Sequence, residues 1–243
     1  MPNRSSTHEY HAPARSHTAR VVEDLGLAIV SGRQPIGSLL PGDGDLIERY
    51  GVSRTVLREA LKTLSAKGLV QAKAGTGTRV SEQSDWNLFD PNLLIWHARI
   101  GFTPAFLSHL AEMRLALEPE AAALAAHRRS DAQAAALVGF VERMGREGNS
   151  PHDFVQADLD FHLGVAEAAG NPFFLSISTL IEVALVAMLR ISSPAEDVER
   201  LRFSISEHLA VAQAIEAKDA ETARRTMARV VWQGVSVISS MRP

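Results

Sequence analysis

The sequence contains no cysteine in its 243 residues. This absence excludes a disulfide scaffold, a cysteine-ligated zinc site, an iron–sulfur cluster and a thiol nucleophile. It is also typical of proteins of the reducing cytosol, and we expect a cytoplasmic location. Aromatic residues are few, at 6%, but apolar residues make up 46% of the chain. The chain therefore has enough apolar side chains to build packed cores.

Long apolar runs are also missing. The longest, residues 173–189, is interrupted by serine and threonine residues and by Glu182. A membrane-spanning helix needs about 20 predominantly apolar residues, so this run predicts a buried helix, and we expect no membrane partner. The first 20 residues are polar and lack the apolar core of a secretory signal. We expect residues 1–18 to form a disordered tail.

Charge is distributed unevenly along a chain whose formal net charge is −3. Lys and Arg outnumber Asp and Glu in residues 1–80, whereas acidic residues outnumber basic ones in residues 81–243. A basic first third favours a polyanionic partner such as nucleic acid, although ordinary variation in surface charge produces the same imbalance.

Apolar spacing and helix breakers predict two domains. Residues 19–80 combine helical spacing with a pair of short strands, whereas residues 104–243 show helical spacing throughout. Breakers such as Gly170-Asn171-Pro172 divide the second region into about six helices with short connections, which predicts an antiparallel bundle. Residues 81–103 form a connector rich in large apolar side chains, which exposed linkers rarely contain, so we expect it to pack on a domain.

The first domain has the order of elements that is typical of a winged helix-turn-helix. A short helix, residues 46–50, precedes a turn at Gly51 and a second helix capped by Ser53. The second helix predicts an inner stripe of Val56, Ala60, Leu61 and Leu64. Two strands around a glycine-rich turn follow and form a wing that could approach a phosphate closely.

The outer face of the second helix carries Arg54, Thr55 and Arg58. A recognition helix presents its N-terminal residues to base edges in the major groove, and arginine is the usual reader of guanine. Each feature alone is weak evidence, since apolar stripes and glycine turns are common. Their order along the chain is much more specific and predicts a DNA-binding domain.

The run LLPGDGDLIERYGVSRTVLREALKTLSAKGLVQAKAGTGTRV, residues 39–80, resembles the GntR family of bacterial transcription regulators. The resemblance implies that a homodimer binds double-stranded operator DNA and that the protein is not an enzyme. The positions that it places against DNA are Ser53, Arg54, Thr55, Val56 and Arg58 in the second helix, and Gly75, Thr76 and Gly77 in the wing.

Polar side chains interrupt the apolar stripes of three predicted helices in the second domain. Asp158 and His162 are four residues apart on one apolar arc, His208 lies in a second stripe, and Arg114 lies in a third with Glu118 at its edge. These groups should face one core, where unpaired charge is costly. Two explanations stay open: an internal salt-bridge network, such as Arg114 with Asp158, or a divalent-metal site.

The segments EMRLALEPEAAALAA, DLDFH, GNP and EHLAVAQAIEAKD resemble the all-α FCD sensor domain of the FadR-type branch of this family. In metal-binding members the ligands are one Asp and three His. Asp158, His162 and His208 match this pattern, whereas Val230 stands at the fourth position. The resemblance thus implies a divalent metal ion, zinc or a similar ion, held by three protein ligands. It also places Arg114 in the pocket of a carboxylate effector.

The segment DWNLFDPNLLIW, residues 85–96, resembles that of the galactonate-utilisation repressor subgroup, which implies a sugar-acid effector. The sequence therefore predicts a mostly α protein that represses sugar-acid catabolic genes until its effector binds. One alternative is a metal-dependent helical-bundle enzyme, for which no nucleophile is evident. The other is a regulator whose metal or ligand site is only structural, which Val230 favours.

Overall fold

The computed structural model of the protein describes residues 16–177, 181–183, 185 and 197–240. Contacts between residues divide the chain into two compact units, Met1–Trp96 and His97–Pro243. The boundary lies inside the predicted connector, residues 81–103, rather than at either of its ends. Most of the predicted tail, residues 1–18, lies outside the described residues, but its last two residues already belong to the first helix.

The first unit combines a few helices with one hairpin. Its elements are α1 (His17–Val30), α2 (Asp43–Tyr50), α3 (Arg54–Ala66), β1 (Val70–Lys73), β2 (Gly77–Val80), a short 3-10 helix (Gln83–Asp85) and most of α4 (Pro91–Ile100).

The turn between α2 and α3 depends on two residues. Gly51 ends α2 with a φ of 60°, a left-handed conformation that glycine adopts without a Cβ penalty. Ser53 then begins α3, and its hydroxyl accepts a hydrogen bond from the Val56 N–H at 3.3 Å. The helix α2 begins at Asp43 rather than at the predicted Leu46, because acidic residues in the first turn favour a helix N-terminus.

The buried face of α3 differs from the predicted stripe. Leu57, Ala60 and Leu64 are fully buried, whereas Val56 and Leu61 are half-buried. The inner face is set by the contact of α3 with α1, and the spacing of three and four residues carries Leu57 to that side.

The hairpin is supported along both edges of β2. The strands β1 and β2 pair antiparallel, from Val70 opposite Val80 to Lys73 opposite Gly77. On the other edge of β2 the Leu40 N–H donates to the Thr78 carbonyl at 2.8 Å. The strand β2 therefore lies between β1 and residues 37–40, so the hairpin is not isolated.

Part of the predicted connector belongs to the core of the first unit. Trp86, Leu93 and Trp96 are buried in the same cluster as the apolar residues of α1 and α3. The indole of Trp96 lies so close to Gly26 that a Cβ there would be 2.3 Å from the ring. Near the end of α3, the Lys67 ammonium contacts the Asp90 carboxylate at 2.7 Å, which ties α3 to the start of α4.

The second unit is helical in the part of it that the structure describes. Its elements after α4 are α5 (Pro104–Arg128), α6 (Asp131–Met144), α7 (Pro151–Ala168), α8 (Pro172–Ser176), α9 (Val198–Glu216) and α10 (Ala220–Ser240). The all-α bundle expected from helical spacing is thus confirmed.

The helix α5 packs against α7, α9 and α10, and its buried face is rich in alanine, which allows close helix approach. Ser130 and Ser150 form capping boxes that begin α6 and α7.

Of the predicted buried helix, residues 173–189, the positions 178–180, 184 and 186–189 lie outside the described residues. Among the rest, Ile181 and Leu185 are buried, whereas Phe173 and Leu175 of α8 are exposed, contrary to the prediction. Among the helices that are described, none is both long and apolar enough to cross a membrane.

The contact between α1 and Trp96 can be tested by substitution of Gly26. We expect Gly26→Ala to lower the free energy of unfolding of the first unit by about 1–3 kcal/mol, because the added methyl group overpacks the indole. The control is Gly44→Ala in α2, where a Cβ meets no atom within 4 Å, and it should leave stability unchanged or slightly higher. Urea denaturation followed by circular dichroism measures both. Equal stability of the two variants would contradict the packing.

Candidate functional site

The N-terminal end of α3 presents a basic surface. Arg54, Thr55 and Arg58 are exposed, and neither arginine has an ion-pair partner among the described residues. Ser53 is also exposed, although its hydroxyl is engaged in capping α3. Val56, which the sequence places against DNA, is half-buried. The two guanidinium groups are therefore available to an external acceptor.

The helix α3 and the wing, which consists of β1 and β2, border the same groove. This groove has a volume of about 520 Å³, and Thr55 and Arg58 of α3 line it together with Thr78 of β2. Three further positions are exposed at the tip of the hairpin: Gly75, Thr76 and Gly77. Arg79 also lies in the wing, but its guanidinium donates a hydrogen bond to the Gly37 carbonyl. This arginine therefore stabilises the sheet.

A cluster of buried polar side chains lies in the second unit. Asp158 and His162 of α7 and His208 of α9 each offer an oxygen or nitrogen, and these three atoms lie within 4.8 Å of one another. All three residues are buried. The ring of Phe161 meets both imidazoles edge-on, with centroids 5.7 Å and 5.1 Å away. Sequence spacing thus located three side chains that the fold brings together.

The orientation of His208 suits a metal ligand. Its Nδ1 lies 2.7 Å from the Ser204 carbonyl and donates its proton there, so in the neutral ring Nε2 has a lone pair. This Nε2 lies 3.1 Å from Asp158 Oδ1 but forms no hydrogen bond with it. Ligands of one zinc ion, each about 2.0–2.2 Å from it, lie at about this separation. The two atoms therefore fit neighbouring positions on one ion.

Arg114 and Glu118 of α5 complete the cluster. The guanidinium of Arg114 contacts Glu118 through Nε and, at 3.3 Å, through Nη2. The same Nη2 lies 3.4 Å from His162 Nε2. The sequence predicted that Glu118 lies at the edge of the apolar stripe, whereas the structure buries it fully. Arg114 therefore pairs with Glu118 and not with Asp158.

Both carboxylates of the cluster are ionised at neutral pH. Burial raises the pKa of Glu118, but the charge of Arg114 and the contact with His162 outweigh it and lower this pKa to about 2. The pKa of Asp158 is also lowered, because the contact with His208 and the nearby basic groups, His162 and Arg114 among them, outweigh the effect of burial. When both imidazoles are neutral, the charges of Asp158 and Glu118 exceed that of Arg114 by one, which favours a cation.

The position that would supply a fourth ligand is apolar. Val230 of α10 is buried in the hydrophobic core of the bundle. A small cavity of about 10 Å³ adjoins Glu118 and His162, which is room for about one water molecule. Sequence reasoning underestimated Glu118, although its spacing of four residues from Arg114 on one helix signals an ion pair.

These two units define a class of protein: a winged helix-turn-helix that binds DNA, joined to a helical sensor with a polar core. Comparison with protein families assigns both parts. Residues 17–80 match the gntR family of bacterial regulatory proteins, and residues 109–231 match the FCD domain. The chain therefore belongs to the gntR family and is a DNA-binding transcription regulator, so the alternative of an enzyme is not favoured.

Two relatives from Escherichia coli K12 and one solved structure illustrate the similarity. The transcriptional regulator YieP is 37% identical over 162 residues, which cover 66% of this chain and 70% of that protein. The galactonate operon transcriptional repressor is 28% identical over 208 residues, 86% of this chain and 90% of that one. Lar of Listeria monocytogenes has a TM-score of 0.63 at 19% identity over 95% of this chain and all of its own, which supports the fold alone.

The DNA-binding surface can be tested at the two free arginines. Arg54→Ala or Arg58→Ala should weaken binding to specific DNA by roughly 5- to 150-fold each, because each loses a contact to a base worth about 1–3 kcal/mol. Together they should abolish specific binding. Arg225→Ala, which removes an exposed charge from α10, serves as the control. Fluorescence anisotropy at fixed salt measures affinity, and full binding by the double variant would refute the assignment of α3.

Proposed function

We propose that this protein represses genes of sugar-acid catabolism and leaves its operator when a small carboxylate binds to the second unit. The observation that carries the proposal is Arg114, a guanidinium buried in the polar core of the FCD domain. Its planar fork suits a carboxylate. The similarity to the galactonate operon repressor supports a sugar acid, galactonate or a related compound, as the effector.

A homodimer is the assembly that fits this function. Two copies of α3 would each bind one half-site of a palindromic operator. An effector releases the operator only if it binds two states of the regulator with different affinity. The cavity that the described residues form beside Glu118 and His162 holds about 10 Å³, less than a sugar acid needs, so we expect the effector to bind a more open state of this site.

The same site is proposed to hold a divalent metal ion, zinc or a similar one, through Asp158, His162 and His208. The converging, misaligned atoms of Asp158 and His208 support this set. With Val230 in place of a fourth ligand, coordination positions stay open for water or for the carboxylate of the effector. When bound, the ion would supply positive charge that acts with Arg114 on an acidic ligand.

A second candidate is a regulator whose polar cluster is only structural. The observation in its favour is that the fork of Arg114 is already engaged by Glu118, as in a self-sufficient ion-pair network. In that case neither metal nor carboxylate would alter DNA binding. The two tests that follow separate the candidates.

The first test is anisotropy of the purified protein on DNA from upstream of its own gene, titrated with sugar acids and dicarboxylates. Salt must be fixed, because phosphate contacts make affinity steeply salt-dependent. We expect one acid to release the DNA. Arg114→Lys should bind the DNA normally but lose the response, because lysine keeps the charge beside Glu118 without the fork. Arg143→Lys, at a partly exposed ion pair, is the control. If the same concentrations of the acid release the DNA from the Arg114→Lys variant, Arg114 is excluded from the effector pocket.

The second test compares the zinc affinity of the protein with that of variants of the proposed site. Asp158→Asn and His208→Gln should each lower the affinity for zinc by at least tenfold, whereas Val230→His should raise it by supplying a fourth ligand. Titration against a chromophoric chelator gives the affinities. Equal affinity in all four proteins, or none in the unsubstituted one, would favour the structural candidate.

A further inference from the structure

Glu118 has a position that the three ligands and the effector arginine do not explain. We propose that it is a positioning residue of the metal site, which fixes the orientation and the tautomer of His162 so that this ring presents Nε2 to the ion. The inference rests on the metal site proposed above. It assigns to α5 a part in metal binding, although α5 supplies no ligand.

The contacts of His162 determine which of its nitrogens carries the proton. Arginine can only donate hydrogen bonds, so the contact of Arg114 Nη2 with His162 Nε2, at 3.4 Å, requires a lone pair on Nε2, and an ion bound to Nε2 would take the place of this contact. The proton of the neutral ring is then on Nδ1. That nitrogen lies 2.5 Å from Oε2 of Glu118, a carboxylate that also contacts Arg114.

The two imidazoles of the cluster have similar surroundings. In His208 the Ser204 carbonyl accepts a hydrogen bond from Nδ1, and Nε2 lies 3.1 Å from Asp158. In His162 the Glu118 carboxylate contacts Nδ1 at 2.5 Å, without the alignment of a hydrogen bond, and Nε2 lies 4.0 Å from Asp158. Each ring therefore has an oxygen close to Nδ1 and has Nε2 near the shared carboxylate. This repeated arrangement is the main evidence for the inference.

The chemistry of zinc and related ions explains why such a partner matters. A histidine ligand binds through a lone pair, and an acceptor on its other nitrogen fixes the tautomer and makes the ligating nitrogen more basic. Loss of such a partner commonly reduces metal affinity 10- to 100-fold. The effect should be pronounced here, because Val230 leaves only three ligands to hold the ion.

Oε1 of Glu118 contacts Arg114 Nε, and Oε2 contacts both Arg114 Nη2 and His162 Nδ1. An amide is uncharged and replaces one of these oxygens by an NH2 group, which donates and cannot accept, so one set of contacts is lost. We therefore expect Glu118→Gln to lower zinc affinity 10- to 100-fold in competition with a chromophoric chelator. Glu120→Gln removes the same charge two residues away, from an exposed pair with Arg224, and should bind zinc normally.

A second measurement detects the tautomer without metal. In long-range proton–nitrogen correlation spectra of the metal-free protein, with His162→Gln to assign the signal, His162 should be protonated on Nδ1. In Glu118→Gln the signal should move towards a mixture of tautomers, which loss of stability alone would not produce in a folded protein. An unchanged tautomer or unchanged zinc affinity in folded Glu118→Gln would overturn the inference.

If Glu118→Gln does not fold because Arg114 is left unpaired, Arg114→Gln/Glu118→Gln removes both charges and is compared with Arg114→Gln alone. The double variant should bind zinc at least tenfold more weakly, and equal affinity would overturn the inference. Zinc binding that needs Asp158 and His208 but not Glu118 overturns the role of Glu118 alone. No zinc binding by the unsubstituted protein overturns the metal site as well.

Discussion

Charge buried between helices must be neutralised by groups on the same or neighbouring helices, and this constraint organises the second unit. Asp158 and Glu118 are ionised in an interior that is otherwise mostly alanine and aliphatic side chains. Their partners come from α5, α7 and α9, so none of these helices can slide without leaving a carboxylate exposed to apolar surroundings. Loss of one partner of such a pair typically costs 3–5 kcal/mol, which makes the relative positions of the three helices highly specific.

The two units use charge in opposite ways. In the first unit Arg54 and Arg58 stay exposed, where the proposed contacts with DNA phosphates and bases would form. In the second unit Arg114 is enclosed and already partnered. Under the proposed function, a carboxylate would reach Arg114 by rearranging these contacts, and this would couple its binding to another state of the protein.

Much of the fold could be predicted because its signals are local. Gly51 and Ser53 set the helix-turn-helix by backbone conformation and capping, which depend on adjacent residues. The predicted inner face of α3 was wrong by one residue, with Val56 in place of Leu57, because the contact with α1 determines which side is buried. Spacing on single helices found Asp158, His162 and His208. It did not reveal that Glu118 lies behind His162, because that contact joins α5 to α7 and depends on how the helices pack.

The burial of Trp96 against Gly26 affects how such regulators can exchange parts. The residues that match the gntR family end at Val80, yet the core of that unit continues to Trp96. A chimera joined at residue 80 would take Gly26 of α1 from one parent and the residue at position 96 from the other. The two side chains would pack poorly unless both positions came from one parent. Recombination between family members should therefore succeed when the crossover lies beyond α4, so that DNA specificity is inherited together with this helix.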